Sequence, residues 1–332
     1  MNIVIALLVF GVIVMVHELG HFSVAKYFKV KIHEFAIGMG PKIFKKRVGE
    51  TDYTIRVLPL GGFVQMEGED EASDDENGFN SKPPLQRMAI IFAGPFMNFI
   101  FTIVVFTMIF ITMGIAVPTV DKLIDNKPAQ IAGLEVGDKI SEIDGEKIDS
   151  WDETTNIISS SIGKELNFKI DRKGEILEIK ITPEDTEGRG TIGFYPKSEK
   201  NFFKALTYGT QKTWNMLGQM IISLKDLVTG KNVGDVVGPV GIISIVGDAA
   251  NNGVLPVVYL AAIISLNLGL INLLPIPALD GSRMVFQFIE LVTGKKVPAE
   301  KEGMVHIVGF VALMSLMLML TYKDILRIWF KN

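Results

Sequence analysis

Residues 2–21 of this 332-residue chain read NIVIALLVFGVIVMVHELGH, an uncharged run that ends in two histidines and a glutamate. On a helix, His17 and His21 lie one turn apart on the same face, so their imidazoles can bind one metal ion. Glu18 projects close by, where a carboxylate can act as general base on a water molecule. An acidic side chain at membrane depth costs about 2.5–3.5 kcal/mol, which makes Glu18 a functional candidate.

The composition favours a membrane protein over a soluble enzyme. Hydrophobic residues make up 48% of the chain and charged residues only 21%. The absence of cysteine excludes disulfides and thiolate zinc sites. Any metal must therefore be held by His, Asp or Glu, and the chain has only two further histidines, His33 and His306.

Four hydrophobic segments are long enough to span a bilayer. The first covers 2–27, and the others lie within 88–120, 249–279 and 303–322. The first segment lacks a basic leader and a small-residue cleavage site, so we expect a retained span and not a cleaved signal peptide.

Basic residues concentrate in the loop between spans one and two and in the loop between spans three and four. Cytoplasmic loops of membrane proteins carry an excess of Lys and Arg. This places both loops inside the cell, and both termini and the region 121–248 outside. The pair His17 and His21 then lies toward the cytoplasmic side of the membrane.

The cytoplasmic loop 28–87 combines two patterns. Alternating residues at 42–47 and 53–66 predict a small β-sheet. The segment 67–77 carries seven carboxylates between Glu67 and Glu76. Because the EF-hand spacing is absent, we expect a solvated, mobile loop and not a calcium site.

The outer region begins with a soluble-looking α/β module at about 118–197. Strand patterns lie at 139–143, 166–170 and 177–181, and a helical pattern lies near 151–161. Residues 202–229 have apolar side chains at helical spacing. They predict either a helix on the outer membrane surface or a helix packed on the module.

A catalytic zinc usually has three protein ligands, so the histidine pair needs a third. The segment 272–281 reads NLLPIPALDG, and its two prolines cannot continue a regular helix. Irregular backbone at membrane depth needs cover by protein or a water-filled cavity. Asp280 would lie on the same side of the membrane as the histidines. The alternative is that the prolines only end a span and that Asp280 caps the next helix; His33 and His306 are weaker ligand candidates.

Three motifs together resemble the site-2 protease family. They are His-Glu-Leu-Gly-His in span one, Gly94-Pro95-Phe96-Met97-Asn98 in span two, and 272–281 in span three. More narrowly, the chain resembles the bacterial regulated intramembrane zinc metalloproteases that have one PDZ domain between spans two and three. The resemblance implies Zn²⁺ held by His17, His21 and Asp280, Glu18 as general base, and a location in the bacterial cell membrane.

The resemblance also implies residues that bind substrate. Asn98 and Asn272 match asparagines that surround the active site in the family, where amides can hold an extended backbone or an oxyanion; helix–helix hydrogen bonding is the alternative. Residues 56–68 resemble a membrane-associated β-hairpin that adds a substrate strand to its edge. The residues expected to bind substrate are Asn98, Asn272, Leu60, Gly61, Gly62, Phe63, Pro275 and Pro277.

The outer module is similar to a PDZ domain in residues 129–145. The resemblance suggests a circularly permuted form whose peptide-binding loop is Ile192-Gly193-Phe194. Such a module can bind chain ends by strand addition, or it can act as a passive size filter that blocks bulky ectodomains. The segment 238–242 resembles the part of the family that precedes span three, and the sequence assigns it no role.

The expected architecture is a polytopic α-helical membrane protein of about four transmembrane helices, with a cytoplasmic-side membrane-associated β-hairpin and an extracytoplasmic α/β PDZ domain. The expected parts are a membrane core (1–117), the PDZ domain (118–200), an amphipathic connector (201–248) and a second membrane core (249–332).

The expected function is zinc-dependent cleavage within transmembrane segments of single-span proteins, such as anti-sigma factors or signal-peptide remnants. The expected partners are these substrates and the lipid bilayer, and no nucleic acid. Two alternatives remain: a membrane-anchored zinc peptidase that cuts soluble peptides, and a non-catalytic PDZ adaptor with a vestigial motif.

Overall fold

A computed structural model describes residues 2–69, 73–230 and 237–329. The side chains of Asn2, Pro59, Leu60 and residues 299–300 and 328–329 lie outside this description. The chain divides into two compact units, one made of Met1–Phe106 with Gly209–Asn332 and the other of Thr107–Tyr208.

The helices are α1 (Asn2–Tyr27), α2 (Pro84–Met113), α3 (Pro128–Ile131), α4 (Trp151–Ser159), α5 (Phe202–Val228), α6 (Pro239–Asn251), α7 (Val254–Asn272), α8 (Asp280–Thr293) and α9 (Ala299–Trp329). The strands are β1 (Ile32–Val48), β2 (Thr51–Met66), β3 (Ile115–Leu123), β4 (Lys139–Ile143), β5 (Glu146–Lys147), β6 (Leu166–Arg172), β7 (Glu175–Ile181), β8 (Glu184–Thr186), β9 (Arg189–Thr191) and β10 (Phe194–Glu199).

Four helices of the described chain are long and apolar enough to cross a membrane: α1, α2, α7 and α9. They overlap the four segments that the sequence predicted, and α2 and α9 begin four residues before their predicted segments. The predicted third segment, 249–279, also includes the end of α6, which Gly253 separates from α7. Gly253 has φ +113°, a conformation that a residue with a side chain rarely adopts.

Small residues let α2 approach both α1 and α7. A Cβ on Gly20 would overlap the Ala93 carbonyl oxygen, so α1 and α2 touch through their backbones at this point. The Ser265 hydroxyl of α7 donates to the Asn98 carbonyl at 3.2 Å, and the Thr102 hydroxyl of α2 donates to the Ala262 carbonyl at 3.0 Å. Close contact through small and hydroxyl side chains is the usual way in which membrane helices associate.

The sheet in the loop between α1 and α2 is longer than predicted. β1 begins at Ile32, ten residues before the predicted strand, and pairs with β2. Its first part, 32–37, has partners on both sides, in 62–66 and in 52–55, whereas 42–48 pairs with 51–56. The strand bends between these parts at Gly38 and Gly40, with φ +85° and +86°. Alternation alone missed the first part because Glu34 interrupts the apolar pattern and is nevertheless buried.

Three donors compensate the buried carboxylate of Glu34. Lys42 Nζ lies 2.8 Å from Oε2, while the Thr54 hydroxyl and the Arg56 guanidinium lie 2.6 and 2.7 Å from Oε1. Burial raises the pKa of Glu34, but these hydrogen bonds outweigh burial and lower the pKa to about 2. Glu34 therefore joins the two parts of the bent sheet.

The acidic segment 67–77 was predicted to be a solvated, mobile loop, but its described residues make side-chain contacts with the rest of the loop. Residues 70–72 lie outside the described part. On either side, the carboxylate of Glu67 accepts from His33 Nε2 and from the Ser73 hydroxyl, each at 2.5 Å, and Asp75 pairs with Lys31 at 3.1 Å. The flanks of the segment are thus anchored to the start of β1, and His33 is engaged there.

The second unit contains a sheet with strand order β10-β3-β4-β6-β7, in which β5 pairs with β4, and a separate β8–β9 hairpin. The three predicted strands and the predicted helix are confirmed as β4, β6, β7 and α4. Its core is built from side chains that alternate along β4 and β6, such as Ile140, Ile143, Phe168 and Ile170. α4 begins with a capping box in which Ser150 and Glu153 each accept the other's backbone N–H.

The segment 238–242, which had no predicted role, begins α6 and binds α9. The buried carboxylate of Asp324 accepts the backbone N–H of Gly238 at 3.2 Å and that of Gly241 at 2.8 Å. A Cβ at either glycine would meet this carboxylate within 3.2 Å. The two glycines therefore let a negative side chain reach the amide-rich start of α6, where the helix dipole favours it.

Candidate metal centre

Three side chains converge between α1 and α8. His17 Nε2 and His21 Nε2 lie 3.1 Å apart. The Asp280 Oδ2 atom lies 3.0 Å from the first nitrogen and 3.5 Å from the second. Within the described part of the chain, these three residues form the group whose ligand atoms could hold a metal ion.

The spacing of the three atoms fits zinc. Tetrahedral zinc with bonds of about 2.0–2.1 Å to nitrogen and oxygen places its ligands about 3.3 Å from one another. The observed separations of 3.0, 3.1 and 3.5 Å bracket that value. Two imidazoles and one carboxylate are also a common ligand set for catalytic zinc, which leaves one position for water.

Asp280 is the first residue of α8, but Leu279 occupies the capping position and no side chain caps the helix, so the alternative interpretation of Asp280 as a helix cap is wrong. Asp280 begins the next helix and also faces the histidine pair. Gly281 allows this position, because a Cβ there would overlap the carbonyl oxygens of Leu273 and Leu274. Ala278 has φ +74°, and its N–H donates to His306 Nδ1 at 3.1 Å. The contact occupies His306, and His33 is bound to Glu67, so neither weaker candidate belongs to the group of three.

One face of α2 lies against both histidines. His21 Nδ1 is 2.9 Å from the Ile90 carbonyl oxygen, and the amide of Asn98 is 3.2 Å from His17 Nδ1. Ile90, Gly94 and Asn98 follow each other at intervals of four, which places them on one helical face. A Cβ on Gly94 would overlap His21 Nε2, so only glycine fits here.

Glu18 lies next to β2. The backbone of Val64 lies close to its carboxylate. A Cβ on Gly62 would lie 3.6 Å from Glu18 Cγ and only 2.6 Å from the Ala36 carbonyl oxygen. The stretch 61–64 therefore runs beside the expected general base, and the small size of Gly62 keeps it there.

The structure separates the other residues expected to bind substrate. Asn98 is completely buried, whereas Asn272 is half-buried at the end of α7 and makes no side-chain hydrogen bond within the described chain. Pro275 is exposed; Pro277 is half-buried against Gly309 of α9. In the sheet formed by β1 and β2, the ring of Phe63 lies 4.9 Å from the Arg56 guanidinium. Ile192, Gly193 and Phe194 lie in the second unit and are treated with its groove below.

Sequence reasoning missed three contributors to the centre. Gly20 lies inside the quoted motif, and a glycine in a helical interior was a signal of close packing. Gly281 follows the aspartate directly and carried a similar signal. The Ile90 carbonyl could not be found, because every residue has a carbonyl and only the packing of α2 selects this one.

Comparison with known protein families matches residues 5–316 to Peptidase family M50. A protein of Clostridium acetobutylicum is 42% identical over 98% of this chain and 97% of its own length. Zinc metalloprotease RasP of Geobacillus kaustophilus is 35% identical over 98% of this chain and 97% of its length. Regulator of sigma-W protease RasP of Bacillus subtilis is 34% identical over 99% of each chain. Among solved structures, the PDZ domain of an SdrC-like protein from Listeria innocua is 29% identical and covers 26% of this chain and 96% of its own, with a TM-score of 0.23.

Proposed function

Because the chain belongs to Peptidase family M50 and is a zinc metalloprotease of the membrane, we propose that His17, His21 and Asp280 hold its zinc and that Glu18 is its general base. The observation that carries this proposal is the convergence of three ligand atoms at tetrahedral spacing beside Glu18. The substrates are single-span membrane proteins, cut within their transmembrane segments.

The chain's own residues account for the proton transfers. A zinc ion in such a site supplies the positive charge that lets water lose a proton near pH 7. The Glu18 carboxylate accepts that proton and later delivers it to the nitrogen of the leaving amine. Asn272, half-buried at the end of α7 with an uncommitted amide, can bind the substrate backbone or its oxyanion.

A helical substrate must unwind before hydrolysis, since its peptide bonds are already hydrogen-bonded within the helix. The stretch 61–64 of β2 lies beside Glu18 and offers a strand to which an extended segment can add. Gly61 and Gly62 lie in this stretch, and Leu60 and Phe63 flank them in sequence. Pro275 and Pro277 prevent their own segment, between α7 and α8, from forming a regular helix.

The substrate class is proposed from the relatives. The Bacillus subtilis relative is named as a regulator of sigma-W, which favours anti-sigma factors as substrates. Signal-peptide remnants, which are also short membrane helices, are the second candidate. A peptidase that acts on soluble peptides would not need the broken backbone at 273–279.

The decisive experiment co-expresses the protein with a single-span test substrate and compares wild type with Glu18→Gln. We expect cleavage to fall by at least about 100-fold, because general-base catalysis contributes roughly 10²–10⁴-fold, while bound zinc stays near one ion per chain. Equal cleavage by both forms contradicts the assignment. A soluble peptide with the same cleavage sequence tests the alternative: faster cleavage of that peptide favours it.

Zinc analysis of Asp280→Ala and His33→Ala tests the ligand set. We expect the first variant to lose zinc and the second to retain it, because His33 is bound to Glu67. Unchanged zinc in the Asp280 variant would remove this residue from the centre.

The proposed sidedness puts the hairpin β1–β2 in the cytoplasm and the unit Thr107–Tyr208 outside, from the distribution of Lys and Arg. The chain has no cysteine, so single cysteines report cleanly. We expect an impermeant maleimide to label Lys173→Cys on intact cells and Glu50→Cys only after the membrane is opened. The reverse pattern contradicts the topology.

The second unit is proposed to be a PDZ-like module that binds peptide. Supporting this, a groove of about 460 Å³ lies between α4 and the start of β10, with Ile192, Gly193 and Phe194 in its wall. Trp151 stacks edge-on against Phe194 at 5.2 Å between ring centres and forms an apolar end of the groove. We expect Thr155→Arg, which fills the groove, to slow cleavage of the test substrate. Unchanged or faster cleavage favours a passive size filter.

A further inference from the structure

We infer that Asn98 is a positioning residue for zinc binding: its amide oxygen accepts the Nδ1–H of His17 and so holds the imidazole in the tautomer whose Nε2 is free to bind metal. This inference rests on the proposed zinc site. It assigns Asn98 to the metal centre and not to substrate.

The two nitrogens of His17 face opposite partners. Nε2 points at His21 Nε2 and Asp280 Oδ2, at 3.1 and 3.0 Å. Nδ1 points away from this cluster, at the side-chain amide of Asn98, whose nitrogen Nδ2 occupies the near position at 3.2 Å. A neutral imidazole has one N–H, so a nitrogen that gives its lone pair to zinc requires the proton on the other nitrogen.

The proton on Nδ1 needs an acceptor, because His17 is buried and Asn98 has no solvent exposure. The Asn98 side chain is the hydrogen-bond partner at this nitrogen. The amide has an oxygen and a nitrogen, and only the oxygen can accept a hydrogen bond. That oxygen is buried and has no hydrogen-bond partner within the described chain, so its acceptor capacity is unused. A half-turn of the amide brings it onto Nδ1 without changing the shape of the side chain.

His21 provides an internal comparison on the same helix face. Its Nδ1 is 2.9 Å from the Ile90 carbonyl oxygen, which can only accept. This contact fixes the proton on Nδ1 and leaves Nε2 for the metal. α2 therefore orients both histidines from behind, with a backbone oxygen at position 90 and a side-chain oxygen two turns later at position 98.

The backbone of Asn98 has separate partners. Its carbonyl accepts from the hydroxyls of Thr102 and Ser265, at 2.9 and 3.2 Å. These bonds join α2 to α7 and do not involve the amide. The role of the side chain can therefore be tested apart from the packing of the helices.

The test measures the zinc dissociation constant of the purified full chain by competition with a chromophoric chelator. It compares Asn98→Leu and Asn98→Asp, whose side chains have the same branching and the same number of heavy atoms as asparagine. Loss of an acceptor behind a metal-binding histidine typically costs about 10–100-fold in affinity. We expect that loss in the Leu variant, and wild-type or tighter binding in the Asp variant, whose carboxylate only accepts. The visible spectrum of bound Co²⁺ should change in the first variant and stay tetrahedral in the second.

Two controls separate the possible failures. Thr102→Val removes a buried hydroxyl from the same helix and should leave zinc affinity unchanged; a loss as large as in the Leu variant would attribute the effect to packing and overturn the inference. Equal zinc affinity of Asn98→Leu and wild type, or equally weak zinc binding by the Asp and Leu variants, also overturns it.

The zinc site itself is tested separately by Asp280→Ala. If Asp280→Ala still binds zinc normally, the zinc site itself is wrong. If only Asp280→Ala loses zinc, the site stands and the role of Asn98 falls.

Discussion

Gly94 of α2 is the position where a side chain would collide with both histidines. A methyl group in its place would overlap His21 Nε2 and lie 2.8 Å from His17 Nε2. Because Gly94 has no side chain, there is room for an ion between the histidines. The Ile90 carbonyl and the Asn98 side chain can then approach His21 and His17.

We predict that Gly94→Ala lowers zinc affinity by at least about tenfold, because overpacking costs about 1–3 kcal/mol and 1.4 kcal/mol corresponds to a factor of ten. Equilibrium dialysis against zinc measures this. Gly218→Ala on α5 is the matched control, since a Cβ there meets no atom of the described residues within 4 Å. Equal zinc affinity in both variants would show that the ligands move aside at little cost.

For single residues, the sequence predicted the side chains that could bind metal or act as a base. His17, Glu18, His21 and Asp280 were selected because their types and spacing suit a metal and a base. It grouped Asn98 with Asn272, although one is buried behind His17 and the other is half-buried at the end of α7. Spacing along a chain gives no direction in space to an amide, so it could not separate the two.

Among the elements, α9 is attached to the rest of its unit by polar contacts near both ends. His306 accepts the Ala278 N–H near one end, and Asp324 accepts two N–H groups of α6 near the other. Between these contacts most of its apolar side chains are exposed, as expected for a helix that faces lipid.

We predict that Asp324→Ala destabilises the helical unit by about 1–3 kcal/mol, because buried N–H groups lose their acceptor. Asp324→Asn keeps an acceptor oxygen and should lose less. Denaturant titration of the purified protein in detergent micelles measures both. Asp248→Ala removes an exposed carboxylate from α6 and should have no effect; a similar loss there would mean that net charge, and not the contact, matters.

The bent sheet formed by β1 and β2 should depend on pH through Glu34. Its pKa in the folded protein, about 2, lies below its ordinary value of 4.5. The stabilisation is therefore complete above about pH 4.5 and is lost as pH falls from there toward 2. Hydrogen bonds to a charged group contribute about 1.5–3 kcal/mol each.

We predict that hydrogen-exchange protection of amides in 32–37 and 52–55 falls at least about tenfold between pH 6 and pH 3, after correction for intrinsic exchange rates. Glu34→Gln should show lower protection at pH 6 and little further change at pH 3. An identical fall in both proteins would assign the pH dependence to another group.

For the whole molecule, the division into two units has a thermodynamic consequence. In the unit Thr107–Tyr208, Arg172 binds the buried carboxylate of Asp138 through two nitrogens, at 2.8 and 2.7 Å, and Glu135 lies 2.7 Å from a third. Burial raises the pKa of Asp138, but the Arg172 guanidinium outweighs burial and lowers it. Removal of the arginine leaves a buried charge without its partner.

We predict that Arg172→Met destabilises this unit, since the buried carboxylate of Asp138 loses its charged partner. Limited proteolysis within 107–208 should accelerate, while zinc content stays unchanged. Lys180→Met, which breaks an exposed pair with Glu165, is the control and should have little effect. Loss of zinc in the Arg172 variant would contradict independent stability of the two units.

The sequence by itself predicted the four apolar helices, the strands β4, β6 and β7, and the pair His17 and His21, because these depend on local composition and on spacing along one helix. It left the third ligand open among several residues, and the structure brings Asp280 to the pair. Only the tertiary structure decided which groups contact the histidines and that Asp324 binds the start of α6. It also showed that a side chain at Gly20, Gly94 or Gly281 would collide with neighbouring atoms. Those contacts join residues that are tens to hundreds of positions apart. Such pairs are selected by how close two backbones can approach, and a one-dimensional pattern does not record that distance.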